Sequence, residues 1–406
     1  MVRPVCLNWL VAGVRVMTKL DRLIGELCPG GVECKPLGEI CDITRGRVMS
    51  KDYLRDNAGE YPVYSSQTAN DGIFGYINTY DYDCESVTWT TDGANAGSVF
   101  YHANKKFSIT NVCGLLRAKD TNLINMRYIF YALQISAKGY VNDGMGNPKL
   151  MSNVMATVRV PVPPLAVQLE IVRILDNFTE LAAELATELT ARKKQYAYYR
   201  DELLTLWDAP RVLVGDLFDF KNGLNKGKDF FGKGTPIVNF TDVFRNRSLY
   251  ASMLKGKVDV TPKEQELYSA RKNDVFFTRT SEIQEEIGMA TVLLDDIEGC
   301  VFSGFVLRAR PKTNLLMPKY CAYCFSSNNV RKEIIRHSTY TTRALTNGKI
   351  LSNLSVPTPS LEEQERIVGI LDRFDALTID ISSGLPAEIA ARQKQYEYYR
   401  DKLFTF

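Results

Sequence analysis

The chain has 406 residues, 45% of them hydrophobic and 24% charged, with a formal net charge of +3. Those values describe a globular protein with room for two or three domains, and they exclude general disorder and a polycationic tail. They leave nucleic acid open as a partner, because a local basic face matters more than the sum of charges. Nine cysteines, an odd number scattered without a framework, read as the reduced thiols of a cytoplasmic protein.

In chain order, the opening MVRPVCLNWLVAGVRV is mildly apolar, but Asn8 interrupts it and no small-residue cleavage site follows. No run in the chain approaches the length of a membrane span. MTKLDRLIGEL opens a clean helix, so Met17 is read as the natural start and 1–16 as translated upstream sequence, inside an N-terminal segment 1–31. A globular segment, 32–160, comes next. Pro161–Phe178 (PVPPLAVQLEIVRILDNF) then recurs as Pro357–Phe374 (PTPSLEEQERIVGILDRF), with 10 of 18 positions identical. Ala191–Leu206 (ARKKQYAYYRDELLTL) recurs as Ala391–Phe406 (ARQKQYEYYRDKLFTF), with 11 of 16 identical. Two such matches in the same order make the chain a tandem duplication.

Each repeated stretch, 161–207 and 357–406, reads as one long helix. Ile171, Leu175, Phe178, Leu181 or Ala182, Leu185, Leu189, Tyr196, Tyr199 and Leu203 fall at three- and four-residue steps, mostly on one stripe. Forty or so helical residues span about 60 Å, and two such stripes are buried most simply against each other as an antiparallel pair. Gly384 and Pro386 predict a kink or break in the second copy.

The segments 32–160 and 212–356 share a faint plan. LGEICDITRG (37–46) answers VGDLFDFKNG (214–223), and SVTWTTDG (86–93) answers DVFFTRTS (274–281). VCGLLRA (112–118) answers GFVLRAR (304–310), and MRYIFYAL (126–133) answers PKYCAYCF (318–325). Short β-branched and aromatic runs punctuated by Gly and Asn suggest twisted sheets with a few helices. The fold class is therefore α+β: two mixed, mostly β globules joined by two long antiparallel helices, with the pseudo-twofold symmetry of a tandem repeat. Similar helices with divergent globules fit one shared task for the helices and two different ones for the globules.

The repeated PVPPLAVQLEIVRILD with QYAYYRDELL, on either side of a divergent globule, resembles the specificity subunits of type I restriction–modification systems across nearly the whole chain. YPVYSSQT and TWTTDGANAGSVFY are similar to a common subtype of their target recognition domains. The resemblance implies two target recognition domains, each reading one half of a split, asymmetric site in double-stranded DNA. It also implies helices that act as a ruler and dock two DNA-methyltransferase subunits, and a nuclease and translocase subunit that completes the complex. The family's circular organisation suggests LDRLIGEL (20–27) as a partial echo of YYRDELL.

No catalytic residue, metal site or cofactor is expected. Cys321-Ala-Tyr-Cys324 has the spacing of half a zinc site or a redox pair. Yet no second pair lies nearby, the chain has only two histidines, His102 and His337, and the aligned Ile129 and Ala132 belong to an apolar helix face. A self-contained methyltransferase would need a Gly-rich loop and an Asn/Asp-Pro-Pro-aromatic loop, which are missing, and Asn147-Pro148-Lys149 is a turn signal only. A nuclease would need clustered carboxylates for Mg²⁺, and Asp295-Asp296 and Glu285-Glu286 lack partner spacing. A coiled-coil assembly protein that never meets DNA explains the helices but not the loop-basic globules.

Candidate DNA contacts are the polar and basic loop residues that read base edges and phosphates. In the first globule they are Arg45 and Arg47 around Gly46, Ser66 and Gln67 after Ser65, Thr91 within Thr90-Thr91-Asp92, Asn95, and Asn147 with Lys149. In the second they are Lys221, Asn222, Lys226 and Lys228 around Asn225, then Arg279 and Thr280 before Ser281, and Tyr340, Thr342 and Arg343 ahead of Asn347. Arg192, Lys193, Lys194 and Arg200, with their copies Arg392, Lys394 and Arg400, lie on polar helix faces that are open to solvent, phosphate or a methyltransferase.

Overall fold

The computed structural model describes residues 18–205, 208–378 and 384–406, together with the backbone of two short paired strands, Trp9–Val11 and Val14–Val16. The chain divides into two compact units, 1–185 with 389–406, and 186–388. Each holds one globule, the first half of the helix that follows it and the second half of the other repeat's helix.

Unit 1 begins with the helix Lys19–Leu27, whose first turn is closed by a capping box between Thr18 and Asp21. Met17 and the proposed upstream segment lie outside the described residues, apart from the two short strands. Leu20 on this helix is buried in one apolar cluster with Leu403 and Phe406 of the C-terminal repeat. The sheet of unit 1 has six strands. Strand β1 (Cys41–Arg45) pairs with β2 (Cys113–Ala118), which pairs with β3 (Tyr82–Thr90), followed by Val99–Ile109, Tyr61–Tyr64 and Ile73–Ile77. Helix α1 (Met126–Ser136) and the first turns of α2 (Leu165–Leu204) pack over it through Tyr128, Ile129, Val167, Ile171 and Leu175, all buried.

Unit 2 repeats the frame. Strands β4 (Phe218–Asn222), β5 (Val306–Pro311) and β6 (Val275–Thr278) are antiparallel neighbours in the same order, followed by Ala290–Leu293 and Ser248–Leu249. Helix α3 (Pro318–Ser326) covers them, and α4 (Leu361–Thr378) takes the place that the start of α2 has in unit 1. Cys321 and Cys324 are fully buried in this apolar cluster, where desolvation pushes the Cys324 thiol up to about 12.

The register differs from the sequence match in one place. Pairing of Arg45 with Gly114 and of Asn222 with Leu307 aligns Gly114 with Leu307, one residue away from the VCGLLRA–GFVLRAR match. Because strand side chains alternate, a slip of one exchanges core and opposite face. Ala309 therefore takes the core place of Leu116, and Arg308 stands where unit 1 has Leu115. Arg308 is buried, donates to the Ser269 carbonyl at 2.8 Å and lies 5.4 Å from the Phe302 ring.

The second repeat helix is described as two pieces, α4 and α5 (Leu385–Leu403). Pro386 sits in the first turn of α5, where a missing N–H costs nothing. The junction itself, 379–383, lies outside the described residues. Within unit 1, Phe178 stacks on Tyr399 at 5.5 Å, and Ala182 lines a cleft with Gln393 and Tyr396, so the two helices run antiparallel there. Within unit 2, the aligned residues exchange places: Phe374 stacks on Tyr199 at 6.0 Å.

The strongest likeness between the units is polar. Gln168 and its copy Gln364 are completely buried. Gln168 Nε2 donates to the carbonyls of Leu123 and Pro163, both at 2.8 Å, and Oε1 accepts from the Asn125 N–H at 3.0 Å. Gln364 makes the matching bonds to Leu315, Pro359 and the Met317 N–H at 2.7, 2.9 and 2.7 Å. Tyr128 and Tyr320 bond the carbonyls of Pro161 and Pro357, and two turns along each long helix Asp176 and Asp372 receive Tyr131 with Arg127 and Tyr323 with Lys319. Truncating a buried amide leaves its former partners unpaired, at about 1–3 kcal/mol for each such group. Gln168→Ala and Gln364→Ala are each expected to lower stability by about 3 kcal/mol, read as a lower urea midpoint at an unchanged slope.

Candidate nucleic-acid interface

In unit 1 the candidate residues gather at one edge of the sheet, where β1 ends, β2 begins and β3 ends, and in unit 2 Asn222, Arg279 and Thr280 lie at the matching edge of β4, β5 and β6. A glycine sets this edge. A Cβ on Gly46 would lie 1.9 Å from the Ile109 carbonyl oxygen, and one on Gly223 would lie 2.1 Å from that of Ser303. The chain leaving β1 or β4 therefore presses on neighbouring backbone as only glycine can.

In unit 1 the centre is the turn from Thr110 to Cys113. Arg45 Nη2 donates to the Asn111 carbonyl and reaches Thr91 Oγ1 at 3.5 Å. Thr91 is fully buried, and its N–H bonds the Val112 carbonyl at 3.1 Å. The loop carrying Asn147 and Lys149 is zipped to the same place: Leu150 N–H bonds the Thr91 carbonyl at 2.9 Å, and Gly93 N–H bonds that of Pro148 at 3.0 Å. Asn95, Asn147 and Lys149 are exposed. On the other side of the turn, Thr110 Oγ1 bonds Ser65 Oγ at 2.9 Å, bringing in the loop of Ser66 and Gln67, whose amide folds back on the Ile73 carbonyl. Arg47 is exposed but tied to Asp81 and to the Tyr53 hydroxyl, both at 3.1 Å.

Unit 2 builds its edge around Ser303–Phe305. Arg279 N–H bonds the Phe305 carbonyl at 3.1 Å, and Gly304 N–H bonds Leu224 at 2.7 Å. This sets Asn225 against Gly304, in the turn that Arg279 also joins, while Lys221 stands further back in β4 opposite Arg308 and Asn222 opposite Leu307. Thr346 N–H bonds the Arg279 carbonyl at 3.1 Å, the counterpart of Leu150 on Thr91. Strand Thr280–Ser281 pairs with Ala344–Leu345, which in turn pairs with Thr339–Tyr340 in a hairpin tipped by Thr341, Thr342 and Arg343. Tyr340, Thr342 and Arg343 are exposed. Lys226 is held by Glu264 at 2.9 Å and lies 4.4 Å from the Phe230 ring. The Glu264 carboxyl is pulled down to about 2, first by the Thr261 backbone N–H and then by Lys226. Partial burial, with Arg308 and Arg310 nearby, pushes the Lys221 ammonium below its ordinary range.

Carboxylates are the partners that the sequence did not point to. Asp81, Asp92, Glu264 and Glu282 lie within ion-pair distance of Arg47, of Arg45 and Lys149, of Lys226 and of Arg343. Only Asp92 had a local signal, as the neighbour of Thr91. Among the described residues, Lys221, Lys228 and Arg279 are the candidate cations without such a partner. On the repeat helices, Arg192 pairs with Glu188 and Arg200 with Asp201, while Tyr198 and Tyr398 stand exposed at equal places in the two copies.

The family described as type I restriction modification DNA specificity domain matches residues 29–192 and 211–391, twice along the chain. The chain belongs to this family. It is 33% identical over 379 residues to a putative type I specificity subunit of Mycoplasma pneumoniae, covering 91% of this chain and 96% of the relative. It is 32% identical over 425 residues to the specificity subunit of a type I restriction enzyme of Escherichia coli, covering 96% and 97%. Among solved structures, the S subunit of a type I restriction–modification system from M. genitalium matches at a TM-score of 0.52 with 15% identity, over 92% of this chain and 96% of that one. A chain from a structure on complex assembly of the type I system matches at 0.64 with 16% identity, over 93% and 98%. These structural likenesses extend the shared fold to nearly the full length of this specificity-family chain.

Behind the unit 1 edge, His102 is buried beneath Tyr64, with ring centres 4.3 Å apart, and its Nε2 meets Thr88 Oγ1 at 2.8 Å. Burial, reinforced by Lys105, lowers its pKa from 6.5 to about 4. The unfolded chain then takes up a proton near pH 6.5 that the folded chain refuses until about pH 4, so this group's contribution is complete above 6.5 and is lost as pH falls towards 4. The loss is on the order of 3 kcal/mol. Denaturant unfolding between pH 7 and 4 should therefore show a shallower loss of stability in His102→Gln than in the natural chain.

Proposed function

We propose that this chain is the DNA-reading specificity subunit of a type I restriction–modification complex and carries no catalytic step of its own. Segments 32–160 and 212–356 are its two readers. The observation that carries this reading is one sheet edge built twice on the same frame and furnished with different side chains each time. A shared frame with unlike edges suits two unlike half-sites in double-stranded DNA, with phosphates held by Lys and Arg and base edges read by Arg, Asn, Gln and Thr. Arg279, Lys221 and Lys228, free of carboxylates, are the first candidates for direct contact. The helices serve as spacer and as docking surface, with Tyr198 and Tyr398 presenting the same face to two copies of a methyltransferase subunit. Transfer of the methyl group and flipping of the base belong to that partner, and cleavage to a restriction and translocase subunit. The whole would work in the cytoplasm. Among the described residues no helix is long and apolar enough to cross a membrane.

Purified alone, the chain is expected neither to methylate nor to cut DNA when supplied with methyl donor, ATP and Mg²⁺. Combined with its methyltransferase partner, it should direct methylation to a two-part site, and exchanging 32–160 for the segment of a relative should alter one half of that site only. Turnover by the isolated, metal-free chain, or a change in both halves, refutes the reading.

The ruler has its own test. Thr179–Thr190 forms three near-identical tetrads, Thr179-Glu-Leu-Ala, Ala183-Glu-Leu-Ala and Thr187-Glu-Leu-Thr, inside the unbroken helix α2. Removing one tetrad keeps the helix and shortens it by about 6 Å. With DNA rising about 3.4 Å per base pair, deletion of Thr187–Thr190 should shorten the unread spacer by one or two base pairs and leave both half-sites intact, as read by sequencing the methylated sites. An unchanged spacer at full activity means the helix is no ruler.

A further inference from the structure

Asp92 is an acidic side chain at the centre of the unit 1 edge, and its surroundings hold it still. Its backbone forms a β-bridge with Lys149, and the flanking Thr91 and Gly93 are bonded to Leu150 and Pro148. Its carboxylate accepts from the Thr91 hydroxyl at 2.5 Å and has Lys149 Nζ at 3.8 Å and Arg45 Nη2 at 3.9 Å. It remains 22% exposed. Neither cation bonds it closely, and Arg45 is anchored elsewhere, on the Asn111 carbonyl. The arrangement is a rigid acceptor whose charge is offset by two cations, so that the cluster as a whole is positive and can approach a polyanion. A carboxylate accepts from exocyclic amino groups, which in the major groove are N4 of cytosine and N6 of adenine. Adenine sets its N7 acceptor beside N6, where a second carboxylate oxygen is repelled, so cytosine is the better match. The groups that guanine and thymine present there to hydrogen bonding are acceptors and would be repelled. At the aligned position of unit 2 stands Thr280, which has no charge.

We propose that Asp92 is a specificity-determining residue of unit 1, accepting a hydrogen bond from the N4 amino group of one cytosine in the half-site read by that unit. Arg45 and Lys149 flank it, and Lys149, on its exposed loop, turns to the adjacent phosphate. The inference rests on the DNA-reading function proposed above. Unit 2 does not take part in it.

The test uses the complete chain together with its methyltransferase partner, with every methylated site sequenced for the natural chain, Asp92→Asn and Asp92→Ala. The natural chain reports on the underlying function: if it directs no two-part methylation, the reading of the protein fails before Asp92 is tested. If it does, Asp92→Ala should relax one G·C pair of one half-site, where discrimination of roughly 5- to 150-fold falls to near none. Asp92→Asn, which can donate as well as accept, should move that same position towards adenine. The other half-site should be unchanged in both variants, and their melting temperatures should stay with that of the natural chain. An unchanged motif in both variants makes Asp92 a loop clamp and overturns the proposal. So does relaxation at several positions, or loss of all methylation from a chain that still melts normally.

Discussion

Everything distal in each unit depends on one buried amide. Gln168 and Gln364 stand a single turn into the long helices and are sealed from water, so each donor and acceptor they carry must be met by protein. The groups that meet them come from both sides of a junction: the proline segment leading into the helix and the loop leading into α1 or α3. A helix held only by apolar packing could slide or roll at little cost, since hydrophobic contact has no direction. Three hydrogen bonds of fixed length and angle remove that freedom. The Tyr131–Asp176 and Tyr323–Asp372 contacts two turns further along fix the roll of the helix as well. Each globule is thereby set at one angle on its own stretch of helix.

That constraint explains what the duplication kept and what it released. Kept are the groups at the helix junction: Gln, the two tyrosines of α1 or α3, the helical aspartate, a basic residue beside it, and the proline carbonyls. Released are the strands beyond the shared three and nearly every residue of the far edge. Even inside the shared strands, Arg308 stands where unit 1 has Leu115 without disturbing the pairing, with one donor on the Ser269 carbonyl, its guanidinium near the Phe302 ring and its buried Nε unpaired. Unit 2 likewise gains Arg247, stacked between Tyr196 at 5.4 Å and Tyr323 at 5.1 Å and paired with Asp375. Unit 1 has a cleft of about 500 Å³ lined by the corresponding Tyr396 and Tyr131.

The duplication, the long helices and their antiparallel sense within each unit were legible in the sequence because they rest on local periodicity repeated twice. The core role of Cys321 and Cys324 was legible for the same reason, through Ile129 and Ala132 in the other copy. The strand match, VCGLLRA laid end to end on GFVLRAR, failed by one residue because register is decided by which residues face the core, and that depends on neighbours distant in sequence. The role of Gln168 was visible only as an unexplained identity: a polar residue preserved between two copies whose neighbours, Val167 and Leu169 against Glu363 and Glu365, had changed. The carboxylates that hold the candidate cations were hidden, since Asp81 and Glu264 lie 34 and 38 residues from the side chains they pair with.

Those pairs give a physical meaning to the modest net charge of +3. A surface of unpaired lysines and arginines would attract every duplex alike, because phosphate attraction is independent of sequence and falls steeply with salt. At the two edges most candidate cations already have a carboxylate, so on the proposed reading phosphate would compete for them and the non-specific share of binding would be reduced. The ion pairs are exposed and individually weak, on the order of 0–1 kcal/mol, so the competition is a small bias on each contact. Summed over an edge it favours sites where base contacts are also made. In unit 2 the bias would be least at Arg279, which among the described residues has no carboxylate at ion-pair distance, and a guanidinium of that kind can meet either a guanine edge or a phosphate with two hydrogen bonds. The balance between the two edges is thus one of chemistry as well as sequence: the first presents cations held around an acceptor, the second a donor left open.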